Sequence, residues 1–332
     1  VAGAGSGKTT VLTKRIEFLV KHMGVSPKDI LAITFTRKAR MEMKKRLDRL
    51  GVNGSNVHTF NSFSEKILQE NGSRIYGRSI RVQTYGDKIL AMNMAVATLG
   101  LDMNAIIDEY FSPAQKKFKT STQLFNAFMN DCFAVMDYFK VSGKRDYDWS
   151  RDVDVRDRLN AERIYKVTKY LREHMETQGL RDYSDQIIDA VRFFRENSDG
   201  IPRYKHVLVD EYQDVNSLQI ELLGLLHPEN LFAVGDPRQS IFGWRGSDVG
   251  YILNFEKDFG ESEVVHLKKN YRSKRGVVDF MNAAIRDMKL PDLEAHFDGE
   301  ALIRIEDFAS EEAERDFVLR EIEDGDVDLG DI

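Results

Sequence analysis

The sequence begins VAGAGSGKTT and runs directly into VLTKRIEFLV. Few stretches of ten residues constrain a fold as much. Glycines at Gly3, Gly5 and Gly7 let the backbone curl until successive N–H groups point into one small volume. The helix that starts behind them adds the positive end of its dipole. Such a loop hangs between a buried strand and a helix, so the rest of the chain has to provide a parallel sheet with helices packed on it. Ahead of the loop only Val1 and Ala2 stand for the strand.

The apolar pattern meets that demand. Leu12, Ile16, Leu19 and Val20 give residues 11–23 a helical stripe, and DILAITF (29–35) reads as a buried parallel strand. TRKARMEMKKRLDRLG follows as a helix stopped by Gly51, with Met41, Met43 and Leu47 offered to the core, and NVHTFNSF (56–63) reads as a second strand. From 65 to about 178 strand signals thin out. In LFNAFMNDCFAVMDYF the residues Phe125, Phe128, Cys132 and Met136 fall on one stripe, the core of a helical insertion. HVLVDEYQD (206–214) and LFAVGD (231–236) restore the strand pattern, and after EVVHL (263–267) a helix at 274–288, a strand at 301–308 and a helix at 310–323 are expected. The expected architecture is α/β: a sheet domain from 1–64 plus 179–265, a helical insertion domain at 65–178, and the start of a second domain at 266–332.

Composition narrows the function. Hydrophobic residues at 42% and charged residues at 31% fit a soluble globular chain. No apolar run approaches the roughly 18 residues of a membrane span. The single cysteine, Cys132, excludes an internal disulfide and a cysteine-built zinc or iron–sulfur site, and the seven histidines show no ligand spacing. A reducing, cytoplasmic compartment is expected. The net charge of −6 hides an asymmetry: residues from Pro291 onward hold 16 Asp and Glu against 3 Lys and Arg, so the preceding part is net basic. That balance suits an anionic partner for the main body, although most charge runs are only solvated faces.

The residue types in the loop point to phosphate. Lys8 is spaced to reach β and γ phosphates and the Thr9 hydroxyl to ligate Mg²⁺; the strict pattern has glycine where Ala2 stands, while the more demanding Gly-Lys-Thr is present. In VLVDEYQD an apolar run delivers Asp210 to a strand end with Glu211 beside it, a metal carboxylate and a group to orient or deprotonate water. Gln239, shortly after the next strand, is positioned to sense the γ-phosphate. Trp244 lies between Gly243 and Arg245, and its indole suits either base stacking or core packing. Tyr271 and Arg272, in LKKNYRSKRG, suit a base and a phosphate, or simply a solvated helix start.

Taken in order, AGAGSGKTT, ITFTRKARMEMKKRL, VHTFNSF, LRDYSDQIIDA, VLVDEYQDVN, VGDPRQSIFGWRGS and LKKNYRS resemble the first motifs of the UvrD/Rep/PcrA group of superfamily-one DNA helicases, over nearly the whole chain. The resemblance implies a P-loop core of the RecA-like type with a helical insertion and the beginning of a second RecA-like domain. It implies ATP with Mg²⁺, bound by Gly3, Ala4, Gly5, Ser6, Gly7, Lys8, Thr9 and Thr10, with Asp210 on the metal and Tyr271 on adenine. Glu211 is implied as the catalytic acid, Gln239 as the coupling glutamine and Arg272 as an arginine finger. Thr34, Phe35, Arg37, Thr59, Phe60, Trp244 and Arg245 are implied on single-stranded DNA. Two departures bear on the grip: Arg37 stands where asparagine is usual, and Asn61 where histidine is usual. The implied activity is ATP-driven 3′ to 5′ movement on single-stranded DNA, separating duplexes at single/double-strand junctions in repair or replication. The helicase subunit of a recombination nuclease resembling RecB or AddA shares these motifs, and a fragment that binds nucleotide or DNA without turnover is the remaining alternative. The family's adenine-reading glutamine motif is expected upstream of residue 1 and its later motifs downstream of residue 332, so the chain is expected to be an internal piece.

Overall fold

The computed structural model describes residues 1–332 apart from Arg145, Trp244, Arg245, residues 326–329 and residues 331–332. By their packing the described residues form two units, 1–268 and 269–332.

The first unit is organised by a four-stranded parallel sheet. Its strands β1 (Ile30–Thr34), β2 (Asn56–Thr59), β5 (His206–Val209) and β6 (Asn230–Ala233) lie in the order β2-β1-β5-β6. All five residues of β1 are buried, as a strand covered on both faces requires. Side chains alternate between the two faces. Leu31, Ile33, Val207 and Val209 enter one core cluster with Phe63, Ile67, Phe194 and Leu223, whereas Ile30, Ala32 and Leu208 enter the other with Leu12, Ile16, Met43 and Leu47.

Helices α1 (Lys8–Lys21) and α2 (Arg37–Arg49) cover the second face. α1 buries Leu12, Ile16 and Leu19 at the expected spacing, each such side chain contributing about 1.5–3 kcal/mol. α2 starts where the Thr36 side chain accepts from the Ala39 amide. It buries Met43 and Leu47 but leaves Met41 57% exposed, which corrects the expectation of a core contact there. Two residues of helix rotate the side chain by about 200°, so Met41 and Met43 point to opposite faces. On the first face α3 (Phe60–Glu70) packs with the helices Tyr183–Glu196 and Ser217–Leu225. β2 is therefore shorter than the expected strand over 56–63: at Thr59 a capping box with Ser62 turns the chain into α3.

Between β2 and β5 the chain builds a separate helical core. Ala91, Ile106, Phe128, Cys132, Met136, Val167 and Leu171 form it, with Phe125 partly buried at its margin. Two short parallel strands, β3 (Arg81–Val82) and β4 (Leu180–Arg181), pair where the chain enters and leaves these helices. Among the described residues no single helix is long and apolar enough to cross a membrane.

In the second unit β7 (Lys269–Lys274) pairs in parallel with β8 (Glu294–Phe297), and the helix Arg275–Ala284 buries Val278. The helix Glu311–Glu323 carries Glu311, Glu312 and Glu314 in its first turn, where the helix dipole favours them. The strand expected over 301–308 does not form. Leu302 is 93% exposed and Ile305 81%, and an alternating apolar run becomes a strand only where another edge pairs with it.

Candidate functional site

The opening loop folds as its glycines require. Gly5 and Gly7 adopt φ of 68° and 87°, in the left-handed region that side chains disfavour. The Ser6 amide and hydroxyl both donate to the Gly3 carbonyl, at 3.2 and 2.7 Å, which closes the curl around half-buried Ala4. The Ala2 amide donates to the Gly235 carbonyl at 2.9 Å and the Gly3 amide to the Leu267 carbonyl at 3.3 Å, so this short stretch is pinned from both sides. Gly7 caps α1 without a side chain. Lys8, Thr9 and Thr10 are the first three residues of that helix, where backbone N–H groups have no partner inside it.

The strand end faces it. Asp210 follows β5 directly and is held by its amide, which donates to the Ile33 carbonyl at 2.9 Å. Thr9 Oγ1 donates to Asp210 Oδ2 at 3.3 Å, and Lys8 Nζ lies 3.5 Å from Glu211 Oε2. Glu211 sits at φ 50°, unusual for a residue with a Cβ, and that turn swings its carboxylate toward Lys8. Burial, reinforced by the Glu211 charge, pushes the Asp210 carboxyl up to about 6, and the same two causes raise Asp214 to about 6. One oxygen of Asp214 is buried with no hydrogen-bond partner among the described residues. Three carboxylates thus gather around one ammonium, an arrangement short of positive charge.

Two residues of this site carry no role in the sequence reading. Gln213 donates from Nε2 to Glu211 Oε2 at 3.1 Å and to Asp214 Oδ2 at 3.0 Å, while its Oε1 accepts the Asp236 amide at 2.9 Å. Fully buried Asp236 in turn accepts from Gln239 Nε2 at 2.8 Å. Gln239 is thereby linked to Glu211 through the carboxylate and backbone amide of Asp236 and the side chain of Gln213. Both lie inside the quoted motifs, DEYQD and GDPRQ, but no apolar periodicity marks either of them.

The sequence model of the UvrD/REP helicase N-terminal domain matches residues 1–260. The chain belongs to this helicase family. Curated relatives named ATP-dependent DNA helicase PcrA agree. The one from Leuconostoc citreum is 34% identical over 86% of this chain and 36% of its own length. Those from Staphylococcus aureus and Staphylococcus epidermidis are 32% and 31% identical over 97% of this chain and 43% of their own length. The chain therefore spans less than half the length of the relatives it matches.

The remaining candidates of this UvrD/REP chain divide by exposure. Arg37 is exposed, with Nη2 donating to the Tyr183 hydroxyl at 3.5 Å, and the Phe35 ring stacks on Phe242 with centroids 5.6 Å apart. Thr34, Thr59 and Phe60 are buried. The Thr34 hydroxyl bonds to the Thr36 carbonyl, Thr59 caps α3, and the Phe60 ring belongs to the core, so these three support the surface from behind. Asn61 holds the Tyr183 carbonyl and Gln186 Oε1 through its amide. Tyr271 and Arg272 lie exposed on β7 in the second unit, with the Tyr271 ring 4.9 Å from His296. Trp244 and Arg245 fall outside the described residues.

His58, at the end of β2, reports the local field. Burial and the charges of Lys66, Lys44 and Arg40 push its imidazole down to about 4, and its Nδ1 meets Ser62 Oγ at 3.4 Å. The unfolded chain therefore takes up a proton between pH 6.5 and about 4 that the folded chain refuses, and stability falls as pH drops through that window. A His58→Gln variant is expected to lose less stability than the parent between pH 6.5 and 4, measured by urea midpoints. Parallel curves would refute this.

Proposed function

We propose that this chain carries the nucleotide-hydrolysing and strand-gripping parts of an ATP-dependent DNA helicase that moves 3′ to 5′ on single-stranded DNA and opens single/double-strand junctions. The observation that carries the reading is the convergence of Lys8, Thr9, Asp210 and Glu211 from the glycine loop and the end of β5. The amides at the start of α1 and the Lys8 ammonium take the β and γ phosphates of ATP. Glu211 orients the attacking water and accepts its proton, and Gln239, tied to it through Asp236 and Gln213, responds to the γ-phosphate. The names of the PcrA relatives support the same activity.

A magnesium ion fits the residues present. The Thr9 hydroxyl and the Asp210 carboxylate are hard oxygen donors 3.3 Å apart, in a site with more carboxylate than cation. Among the described residues no cluster of three or more His, Cys, Asp or Glu offers a closed cage, and Mg²⁺ characteristically takes one or two protein oxygens and fills its shell with phosphate and water. When bound, the ion neutralises charge on the phosphates. Tyr271 and Arg272 are proposed to serve the adenine and the γ-phosphate. Thr34, Phe35, Arg37, Thr59, Phe60, Trp244 and Arg245 are proposed to form or back the DNA track.

The test is ATP hydrolysis by this chain with and without an oligo-dT strand. Several-fold stimulation is expected. Nucleotide binding with no turnover, whether or not oligo-dT is present, would assign the chain to passive binding instead.

A further inference from the structure

Among the described residues β2 is an outer strand of the sheet, paired only with β1, and helices from both faces bring basic side chains to that margin. Arg40 and Lys44, one turn apart on α2, flank the buried Met43–Leu47 stripe; Lys66 extends from α3 one turn beyond Ser62. All three act on His58, so they converge on the end of β2 from two layers. Among the described residues none of them has an ion pair, and the Arg40 Nε is buried without a hydrogen-bond partner. Of the acids on the same helices, Glu42 pairs with Arg46 and Glu65 with Arg181, while Asp48 and Glu70 stand one turn beyond Lys44 and Lys66 without an ion pair among the described residues. Cations gathered without a direct ion-pair partner repel one another, and the arrangement is relieved when an anion arrives between them.

The patch continues a line that begins at Arg37. From Arg37 to Lys44 α2 rises about 10 Å, the length of roughly three phosphates at the 3.4 Å spacing of a stacked strand. A small anion spans one such position, whereas a polyanionic strand spans all of them.

We propose that Arg40, Lys44 and Lys66 form a phosphate-contact patch at the open edge of the sheet, holding the backbone of a single nucleic-acid strand beyond the Phe35–Arg37 segment. The proposal rests on the DNA-binding reading above. It carries no base preference, because phosphate contacts position a strand without reading its sequence. The rival account is that these charges only guard a sheet edge against pairing with another chain.

The experiment is equilibrium binding of fluorescent oligo-dT across a series of salt concentrations. The parent is compared with an Arg40→Ala/Lys44→Ala/Lys66→Ala variant and with Lys44→Gln alone. Each single-strand contact contributes about 0.7 to the slope of log affinity against log salt, so the triple variant should flatten it by about 2 and the single variant by about 0.7. Binding of a fluorescent ATP analogue should be unchanged in both. A parent that binds oligo-dT while both variants keep its slope overturns the patch. Aggregation of the triple variant with an unaltered slope for Lys44→Gln also overturns it, and assigns the charges to edge protection. A parent that binds no oligo-dT at low salt overturns the underlying functional reading, a result distinguishable from either of these.

Discussion

Lys8→Ala is expected to lower ATP turnover by about 10²–10³-fold, the cost of removing one preorganised charge donor from a site where charge develops. The position leaves little room for compensation. Lys8 is the first residue of α1, its side chain is only 10% exposed, and its ammonium is 3.5 Å from Glu211. Alanine is the best helix former, so α1 should persist and the thermal midpoint should move little. The loss should therefore appear in turnover and not in the folded fraction. Removing the ammonium also takes away a charge that helps hold Asp210 and Asp214 ionised, leaving burial and Glu211 to act with less opposition. The measurement is steady-state hydrolysis at saturating ATP and oligo-dT, with a melting curve alongside. Turnover within threefold of the parent, in a folded variant, sinks the assignment of Lys8.

How far the site is legible in sequence follows from where its constraints are local. The glycine loop is legible because φ near 87° at Gly7 is a property of one residue, and Asp210 is legible because the buried run 207–209 ends one residue before it. Phe60 is less so. The turn into α3 depends on a Thr59–Ser62 capping box, which lacks the usual Glu or Gln in the third helical position, and that turn rotates Phe60 into line with Phe63 inside the core. Met41 is a different case, since a helical wheel alone separates it from Met43. The 301–308 run fails as a strand for a non-local reason: pairing partners are set by topology, and β7 pairs with 294–297 instead. Gln213 and Asp236 stayed silent because a buried hydrogen-bond chain across two loops leaves no periodicity to read.

The second large effect lies away from the nucleotide. Lys140, in the helix Ser121–Val141 of the inserted helical core, places its ammonium 2.6 Å from Asp182 and 2.8 Å from Asp185, with its own side chain 6% exposed. Asp182 is the N-cap of the helix Tyr183–Glu196, accepting from the Asp185 amide at 2.9 Å, so one buried cation ties the helical core to the start of a helix that packs on the sheet. Burial works against charge on Asp182, and the Lys140 ammonium overcomes it and holds the carboxyl below its usual range. Lys140→Met keeps most of the aliphatic volume and strands two carboxylates, a loss expected at about 3–5 kcal/mol. Adding Asp182→Asn and Asp185→Asn should recover much of it, because asparagine still caps a helix and the two carboxylates that bonded Lys140 no longer carry charge, leaving the neighbouring half-buried Asp137, whose carboxyl burial already pushes up. The first turn of that helix also carries Tyr183, whose hydroxyl meets Arg37 and whose carbonyl is held by Asn61. Loosening the junction should accordingly weaken oligo-dT binding before it touches nucleotide binding. Urea midpoints of the parent, the single variant and the triple variant decide the matter: a single-variant loss below about 1 kcal/mol, the scale of exposed ion pairs, means water reaches this junction and the tie is not a buried one.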